Sequence, residues 1–313
     1  MKKVLIIGYI SQPGGSIRLA PLAKRLPEFG WQPVVLTAPL YEKTDPQLRI
    51  IETSYRDALG FWKKLVRFNP DEILKEQMKE RLGVSYNKKT VIDHMINFLL
   101  GIVTYPDYER GWKPFAIEAG NELLQNESID AMISCRPITS YIVASKLKEQ
   151  YDIPWIIDYT DPWSQNTGYE YGPLRALFDR RLELKTAARA NALVTVSEPW
   201  AEKLRALHKR KPVYLITHGF DPDEVNKPPT KLTAKFTISY TGTIYTGNQD
   251  PAKLFSALRD LISEGAVDPS EIEVRFYGRK VAWLDGEIQR YGLSGLVNHY
   301  GIVTKEVVLE KQR

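Results

Sequence analysis

Short continuous apolar runs alternate along this chain with stretches in which apolar residues recur every three or four positions. The run Val4–Ile7 ends at Gly8, and Pro33–Thr37 forms a second run. Between them, apolar residues recur at helical spacing from Ile17 to Leu26. Continuous runs are typical of parallel strands buried on both faces, and helical spacing is typical of a helix packed against a sheet. This pattern predicts a strand–helix–strand unit and the α/β fold class.

Residues 40–125 interrupt the alternation, which then resumes. Within the interruption, helices are predicted at residues 56–68, 71–82, 91–103 and 112–125. After it, strands are predicted at 129–134, 154–158, 192–196 and 212–217, and helices at 139–150, 173–188 and 198–207. We therefore predict a first Rossmann-like lobe over residues 1–217 with a helical insertion at about 40–125.

The stretch Tyr214–Asp221, Y-L-I-T-H-G-F-D, ends this lobe, and a Pro-rich run to Pro229 follows it. Residues 218–234 are predicted to be a linker. A second Rossmann-like lobe is predicted over 235–313, with strands at 236–240, 271–277 and 296–300 and helices at 251–264, 281–291 and from 304. A doubly wound half normally has about five or six strands, so this lobe is predicted to be incomplete. A cleft between the lobes is the expected ligand site.

Composition places the chain among globular proteins, because 43% of its residues are apolar and 26% are charged. The single cysteine, Cys135, excludes an intramolecular disulfide framework and a Cys-rich zinc site, and it suits a reducing cytosol. Its apolar neighbours Met132, Ile133 and Ile138 predict a buried thiol. The net charge of +5 mildly favours anionic partners such as nucleotides, phosphates or an acidic membrane face, although solubility explains it equally well. No nucleic-acid partner is expected.

The chain is expected to be cytoplasmic. The apolar run after Met1-Lys2-Lys3 is too short for a signal peptide, and no run reaches the ~18 residues of a spanning helix. We expect possible peripheral contact with the inner membrane face because the segment Phe61–Phe68 interleaves aromatic and basic residues, as interfacial membrane helices do. A surface helix that packs Trp62 and Leu65 inward explains this segment as well.

Candidate binding residues follow the predicted strands. Gly14, Gly15 and Arg18 lie after the first strand, where glycines and free N–H groups at a helix start favour an anion. A tight turn with a solvated arginine is the alternative. Arg136 follows the strand at 129–134, and the neighbouring Thr139 and Ser140 contact a ligand or simply cap the next helix.

Asp158 and Asp161 lie three residues apart at the end of the strand at 154–158. In open α/β sheets ligands bind beyond the carboxyl ends of the strands, so these carboxylates could orient an acceptor hydroxyl or act as a base. The alternative is that one of them caps the next segment while Trp163 packs in the core. Ser197, after the strand at 192–196, is a further candidate binding residue. No metal site is expected.

His218, a candidate catalytic residue together with Asp161, and Gly219 begin the predicted linker. A neutral histidine can hydrogen-bond a sugar or phosphate, and Gly219 could act as a hinge, although a lone histidine is more often structural. In the second lobe, Gly242, Thr243 and Asn248 lie in a small-residue loop before a helix, which could cradle a diphosphate. The loop contains no basic residue. Gly278, at the end of the strand at 271–277, completes the candidate binding set.

Taken in order, these stretches resemble the GT-B-fold glycosyltransferases of glycosyltransferase family 4, in the bacterial polysaccharide-assembly branch. The resemblance covers nearly the whole chain. It rests on G-G-S-I-R, L-P-E-F-G-W-Q-P-V-V-L-T, Y-P-D-Y-E-R-G-W, S-C-R-P-I-T-S, I-P-W-I-I-D-Y-T-D-P-W, V-T-V-S-E-P-W-A, H-G-F-D and Y-T-G-T-I-Y. No single motif is decisive, and their order and spacing carry the resemblance.

The resemblance implies retaining transfer of a sugar from a nucleotide-sugar donor to a glycan or lipid-linked acceptor in cell-surface polysaccharide biosynthesis. The acceptor would bind the first lobe and the donor the second. Gly14, Gly15 and Arg18 would then lie against donor phosphates or acceptor, Asp161 would face the acceptor, and Gly242 would approach the diphosphate. No metal or other cofactor is implied, because helix N-termini and cationic side chains stabilise the leaving diphosphate in such folds.

Two departures from the family pattern leave alternatives open. Thr243 and Asn248 stand where the family usually has an arginine and a lysine, and the family's Glu-x7-Glu motif is expected beyond Arg313. The alternative function is therefore a non-catalytic GT-B remnant that binds an acceptor or a partner transferase. A sugar-nucleotide epimerase fits less well, because its expected carboxylate and histidine motifs are not found here.

Overall fold

A computed structural model of the chain describes residues 1–10, 18–40, 45–57, 101–166, 172–220, 231–242 and 249–312, with the single positions 95, 98, 99, 222 and 244. Its residues divide into two compact units, the first ending at Gly219 and the second beginning at Phe220. This division falls inside the predicted linker 218–234. Predicted features outside the described residues are Gly14, Gly15, Thr243, Asn248 and Phe61–Phe68.

The first unit contains a seven-stranded sheet in which every neighbouring pair of strands is parallel. Its strands are β1 (Lys2–Ile7), β2 (Trp31–Thr37), β3 (Arg49–Glu52), β4 (Ala131–Ser134), β5 (Trp155–Tyr159), β6 (Ala192–Thr195) and β7 (Val213–Leu215). Their order across the sheet is β3-β2-β1-β4-β5-β6-β7. The chain therefore builds the sheet outward on one side of β1 and then on the other, and the direction changes between β1 and β4.

Helices connect these strands. They are α1 (Leu19–Arg25), α2 (Lys113–Asn126), α3 (Ile138–Tyr151), α4 (Gly172–Ala187) and α5 (Glu198–Leu207), with 3-10 turns at Leu26–Phe29 and Tyr108–Trp112. Both faces of β1 are buried, because Leu5 and Ile7 pack in one core cluster and Val4 and Ile6 in another. Burying each such side chain stabilises the fold by ~1.5–3 kcal/mol. This two-sided burial is the reason that the strand reads as a continuous apolar run, as predicted.

The predicted helical insertion at 40–125 is wrong at its beginning. Residues Arg49–Glu52 form β3, which pairs with β2 at the edge of the sheet. The strand was missed because only Ile50 and Ile51 are apolar, too few to form a recognisable run. The helices predicted at 56–68 and 71–82 lie outside the described residues, except for positions 56 and 57, which are not helical.

The second unit contains a three-stranded parallel sheet of order β10-β9-β8 among the described residues. Its strands are β8 (Phe236–Thr241), β9 (Ile272–Tyr277) and β10 (Val297–Gly301), and its helices are α6 (Ala252–Ser263), α7 (Ala282–Arg290) and α8 (Lys305–Lys311). Phe255, Val274 and Leu284 lie at the centre of its core. The predicted α/β class with two Rossmann-like sheets is confirmed. Over the described residues of both units, no helix is long and apolar enough to cross a membrane.

Candidate functional site

The carboxyl ends of β1 and β4 lie side by side in the first unit, at the point where the sheet changes direction. The N–H of Cys135 donates to the carbonyl of Ile7 at 2.9 Å, and that of Tyr9 donates to the carbonyl of Arg136 at 3.1 Å. A Cβ on Gly8 would lie 2.8 Å from Cδ1 of Leu19 and 3.2 Å from the Arg136 carbonyl oxygen. Glycine at position 8 therefore lets the two segments approach closely, where open α/β sheets bind ligands.

Arg18 and Asp158 form an ion pair at the carboxyl ends of the strands of the first sheet. Nε of Arg18 lies 3.4 Å from Oδ2 of Asp158, and its Nη1 donates to the carbonyl of Ile216 at 2.8 Å. The Arg18 side chain is 15% exposed. The alternative interpretation of Arg18 as a solvated arginine is therefore wrong, because its guanidinium binds Asp158 and the carbonyl of Ile216 and its side chain is largely buried.

Asp158 is a buried carboxylate with a perturbed pKa. Burial raises its pKa, and the charges of Arg18 and His218 and a hydrogen bond from Cys135 oppose that rise. Oδ1 of Asp158 has no hydrogen-bond partner among the described residues. A buried carboxylate oxygen without a partner is costly, and a hydroxyl of a bound ligand would satisfy it.

Cys135 lies beside this carboxylate with its Sγ 3.9 Å from Oδ2 of Asp158. The thiol is buried, as predicted. Burial, with the negative charge of Asp158, raises its pKa well above the ordinary value. A buried thiol with a raised pKa is a poor nucleophile.

Arg136 and Asp161 form a second ion pair, in which Nη1 of Arg136 donates to Oδ2 of Asp161. Both side chains are about 40% exposed, at 39% and 40%. The pair joins the loops that follow β4 and β5, so two candidates separated in sequence meet at one edge of the sheet.

Sequence reasoning missed two carboxylates near Arg136. Asp107 accepts hydrogen bonds from the N–H of Thr139 at 2.7 Å and from its hydroxyl at 2.6 Å. Burial raises the pKa of Asp107, and burial together with the charge of Asp107 raises the pKa of Glu109 to about 7. The signal was present, because both belong to the quoted motif Y-P-D-Y-E-R-G-W, which was used only for the resemblance.

These bonds also revise the expectation for the start of α3. The N-cap residue is Pro137, which makes no side-chain capping bond. The first turn is instead bound by Asp107, which lies 32 residues away from Thr139. The alternative that Thr139 or Ser140 caps this helix is therefore wrong.

The loop that carries Asp161 is held by a buried network. Oε2 of Glu183 accepts from the N–H of Ser164 at 3.0 Å and from its hydroxyl at 2.5 Å. Oε1 of the same carboxylate lies 3.3 Å from Nε2 of His208. Trp163 is 5% exposed and packs in the core, as the structural alternative for this segment expected. Nothing local in the sequence linked Glu183 or His208 to the loop.

His218, Gly219 and Ser197 occupy less constrained positions. His218 is exposed, yet it lies close enough for its charge to lower the pKa of Asp158. Gly219 is exposed, and a Cβ there would meet no atom within 4 Å. Ser197 is the N-cap residue of α5 and makes no side-chain capping bond. The structure thus brings His218 to the Arg18–Asp158 pair, while the role of Gly219 as a hinge stays a prediction.

In the second unit, two candidate glycines are engaged by the backbone. The N–H of Gly242 donates to the carbonyl of Tyr277 at 2.8 Å, and that of Gly278 donates to the carbonyl of Gly301 at 2.9 Å. These two N–H groups are therefore not available to a phosphate. Directly after Gly278, Arg279 and Lys280 are exposed at the carboxyl end of β9. They are cations that sequence reasoning overlooked when it searched only residues 241–248.

No group of three or more His, Cys, Asp and Glu side chains is arranged to hold a metal ion in the part of the chain that the structure describes. What the first unit offers is a set of cations and carboxylates at one sheet edge. Such a set can bind hydroxyl groups and negatively charged oxygens, and it can accept a proton.

Comparison with known proteins gives one family match. The model of Glycosyltransferase Family 4 matches residues 14–224. No curated protein sequence matches the chain.

Three solved structures are similar in fold. The apo form of the lipopolysaccharide outer core galactosyltransferase WaaB is 12% identical, with a TM-score of 0.53 over 100% of this chain and 71% of that chain. A variant of S. aureus TarM in complex with Fondaparinux, alpha-GlcNAc-glycerol and UDP is 8% identical, with a TM-score of 0.51 over 97% and 78%. The α,α-trehalose 6-phosphate synthase from Burkholderia multivorans is 9% identical, with a TM-score of 0.57 over 98% and 73%. At these identities the likeness shows the GT-B fold alone.

Proposed function

This chain belongs to glycosyltransferase family 4, and on that basis we propose that it moves a sugar from a nucleotide-sugar donor to a glycan or lipid-linked acceptor. We propose that the reaction retains the anomeric configuration and serves the biosynthesis of a cell-surface polysaccharide. The enzyme would act in the cytoplasm, with peripheral contact with the inner membrane face. The TarM complex with UDP supports a uridine nucleotide as one donor class to test.

The observation that carries the proposal is the buried Asp158, whose Oδ2 pairs with Arg18 while Oδ1 has no partner among the described residues. A sugar is a dense array of hydroxyl donors, and a buried carboxylate oxygen accepts such a donor strongly. The position at the carboxyl edge, beside the change of sheet direction, is where this fold class binds ligands. We therefore assign Asp158 and Arg18 to acceptor binding.

Asp161 is the proposed base. In the transfer, the bond between the anomeric carbon and the diphosphate oxygen breaks, and the acceptor hydroxyl oxygen forms the new bond on the face that the diphosphate leaves, so that the configuration is retained. The carboxylate of Asp161 would take the hydroxyl proton, while Arg136 holds it in position through their ion pair. His218 would hydrogen-bond the acceptor or the leaving phosphate from its exposed position near Asp158.

The donor is proposed to bind the second unit. Arg279 and Lys280 would neutralise the diphosphate, which compensates for the lack of a basic residue in the loop at 241–248. Thr243 and Asn248 stay candidates for contacts to the donor, with Gly242 and Gly278 shaping the loops beside them. We propose that no metal ion or other cofactor takes part, in keeping with family 4 chemistry.

The test separates donor binding from transfer by using the variant Asp161→Asn. Calorimetry with uridine, guanosine and adenosine diphosphate measures donor-class binding, and turnover is measured with the nucleotide sugar that the wild type hydrolyses or transfers. We expect the variant to bind the same diphosphate with nearly unchanged affinity and to lose about 100-fold or more in kcat, the usual contribution of a general base. Asp152→Asn is the matched control, because its side chain is 96% exposed.

Two results would contradict the proposal. If none of the three diphosphates binds to the folded protein, the donor assignment is wrong. If Asp161→Asn turns over like the wild type and like Asp152→Asn, Asp161 is not the base.

A further inference from the structure

Helix α4 has its polarity inverted relative to an ordinary surface helix. Its inward face carries Arg175, Asp179 and Glu183, which are 8%, 1% and 0% exposed. Four large apolar side chains are instead exposed: Leu174 at 53%, Leu177 at 57%, Phe178 at 53% and Leu184 at 38%. Scattered exposed leucines are normal, but four large apolar side chains on one face of a single helix form a contiguous surface.

The inverted orientation is fixed by specific partners of the buried charges. Nε of Arg175 donates to Oδ2 of Asp179 at 2.7 Å, and its Nη2 donates to the carbonyl of Pro106 at 2.6 Å. Glu183 accepts from Ser164 on the opposite side of the network. Rotating the helix to bury Leu174, Leu177 and Phe178 would break these bonds and leave buried charges without partners, which is strongly unfavourable. The apolar face therefore stays outward.

The outward face of α4 is also cationic. Arg180, Arg181 and Lys185 are exposed, whereas both acidic residues of the helix, Asp179 and Glu183, are buried. We name Leu174, Leu177, Phe178 and Leu184 together with these three cations the α4 outer face. Its apolar side chains alternate with positive charges and no exposed acid of the helix lies among them.

A segment that contacts α4 also exposes large apolar side chains. Ile102 is 59% exposed, and Phe98 and Leu99 are each 45% exposed. This segment contacts α4 directly, because Arg175 donates to the carbonyl of Gly101. Two adjacent helical segments thus present large apolar side chains on the first unit.

We propose that the α4 outer face docks the enzyme on an anionic lipid bilayer. Leu174, Leu177 and Phe178 would enter the boundary between headgroups and acyl chains, and the three cations would contact lipid phosphates. Between Gly172 and Ala187 three cations are exposed while both acidic residues are buried, and this charge favours a negatively charged surface over a protein of mixed charge. The inference names the surface for the membrane contact proposed above and rests on that part of the proposed function. It does not depend on the proposed sugar transfer, and its test uses neither donor nor acceptor.

The first experiment measures binding to vesicles of phosphatidylcholine mixed with phosphatidylglycerol, and to vesicles of phosphatidylcholine alone. We expect cosedimentation with the mixed vesicles and weaker binding to the neutral ones and at high salt. The double variant Leu177→Ser/Phe178→Ser should weaken binding about tenfold or more. The double variant Arg181→Gln/Lys185→Gln should weaken it about 30-fold, since each cation contributes a factor of about five.

Matched controls use other exposed positions. Phe29→Ser removes an apolar side chain that is 76% exposed in the same unit, and Lys209→Gln/Arg210→Gln removes two exposed cations. Both should bind vesicles like the wild type. Equal loss in the controls, equal binding to neutral vesicles, or no binding of the wild type overturns the proposal.

A second measurement shows what covers the face. Because Cys135 is buried and is the single cysteine of the chain, a Leu177→Cys variant can be labelled selectively with an environment-sensitive dye. We expect the emission to shift to the blue only when anionic vesicles are added, with no shift for a label at Phe29→Cys. A label at position 177 that is already shielded without lipid shows that protein covers the face, and this result also overturns the proposal.

Discussion

The pKa of Glu109 leads to a specific prediction about the stability of the first unit. The carboxyl group lies in the 3-10 turn Tyr108–Trp112, and burial together with the charge of Asp107 raises its pKa from 4.5 to about 7. Arg136 partly opposes this rise. The perturbation that tests it is Glu109→Gln, which replaces the carboxyl group by a neutral group of the same shape.

A carboxyl group with a higher pKa in the folded chain binds more protons when the chain is folded. Stability is therefore lost as the pH rises from about 4.5, the unfolded value, to about 7, the folded value. This pKa difference corresponds to about 3.5 kcal/mol at about 1.4 kcal/mol per unit. Because the side chain is only half-buried, solvent screening reduces the expected cost to about 2 kcal/mol.

The assay is urea unfolding at pH 5 and pH 8, followed by tryptophan fluorescence, since Trp112 is buried in the same turn. We expect Glu109→Gln to raise the free energy of unfolding by about 2 kcal/mol at pH 8 and by about 0.5 kcal/mol at pH 5. Glu118→Gln on α2 is the control, because Glu118 is exposed, and it should change little at either pH.

The reasoning is refuted if the stabilisation by Glu109→Gln is the same at both pH values. It is also refuted if the variant is less stable than the wild type at pH 8. The first result would show that the pKa of Glu109 is not raised on folding, and the second that the attraction of Arg136 outweighs burial.

Two further predictions concern the framework of the site. Gly8→Ala should lower the free energy of unfolding by about 1–3 kcal/mol, because the new Cβ would lie 2.8 Å from Cδ1 of Leu19 and 3.2 Å from a backbone oxygen. An unchanged urea midpoint would show that the segments after β1 and β4 can move apart without cost. Ser164→Ala removes the hydrogen bond of 2.5 Å from the Ser164 hydroxyl to buried Glu183 and should lower the free energy of unfolding by about 1–3 kcal/mol. It should also lower kcat, because the same loop carries Asp161. Unfolding curves and kinetics measured together check this, and a loss of stability with unchanged kcat would separate the loop from catalysis.

Much of the fold could be predicted because its periodicity is local. The continuous apolar run of β1 and the helical spacing of α5 needed no distant information, and α5 was predicted with its observed bounds, Glu198–Leu207. By contrast, β3 has only two apolar residues between Arg49 and Glu52, so nothing in its own sequence separated it from the predicted insertion.

The site was predicted in part for the same reason. Residues that follow strands could be proposed as candidates, and Arg18, Asp158, Arg136 and Asp161 do meet at the carboxyl edge of the sheet. Their pairing could not be predicted, because Arg18 and Asp158 are far apart in the chain. Whether each carboxylate is buried, paired or raised in pKa depends on which loops the sheet places side by side.

Helix α4 shows most clearly what the sequence determined and what the tertiary structure decided. The sequence predicted a helix at residues 173–188, in which Leu174, Leu177 and Phe178 lie three and four positions apart, a spacing that by itself indicates a core-facing stripe. The tertiary structure reversed it, because Gly101, Pro106, Ser164 and His208 supply partners for Arg175 and Glu183 inside the fold. Local periodicity sets the helix, but the free energy of satisfying buried charges depends on groups distant in sequence, and those groups decide which face is turned inward.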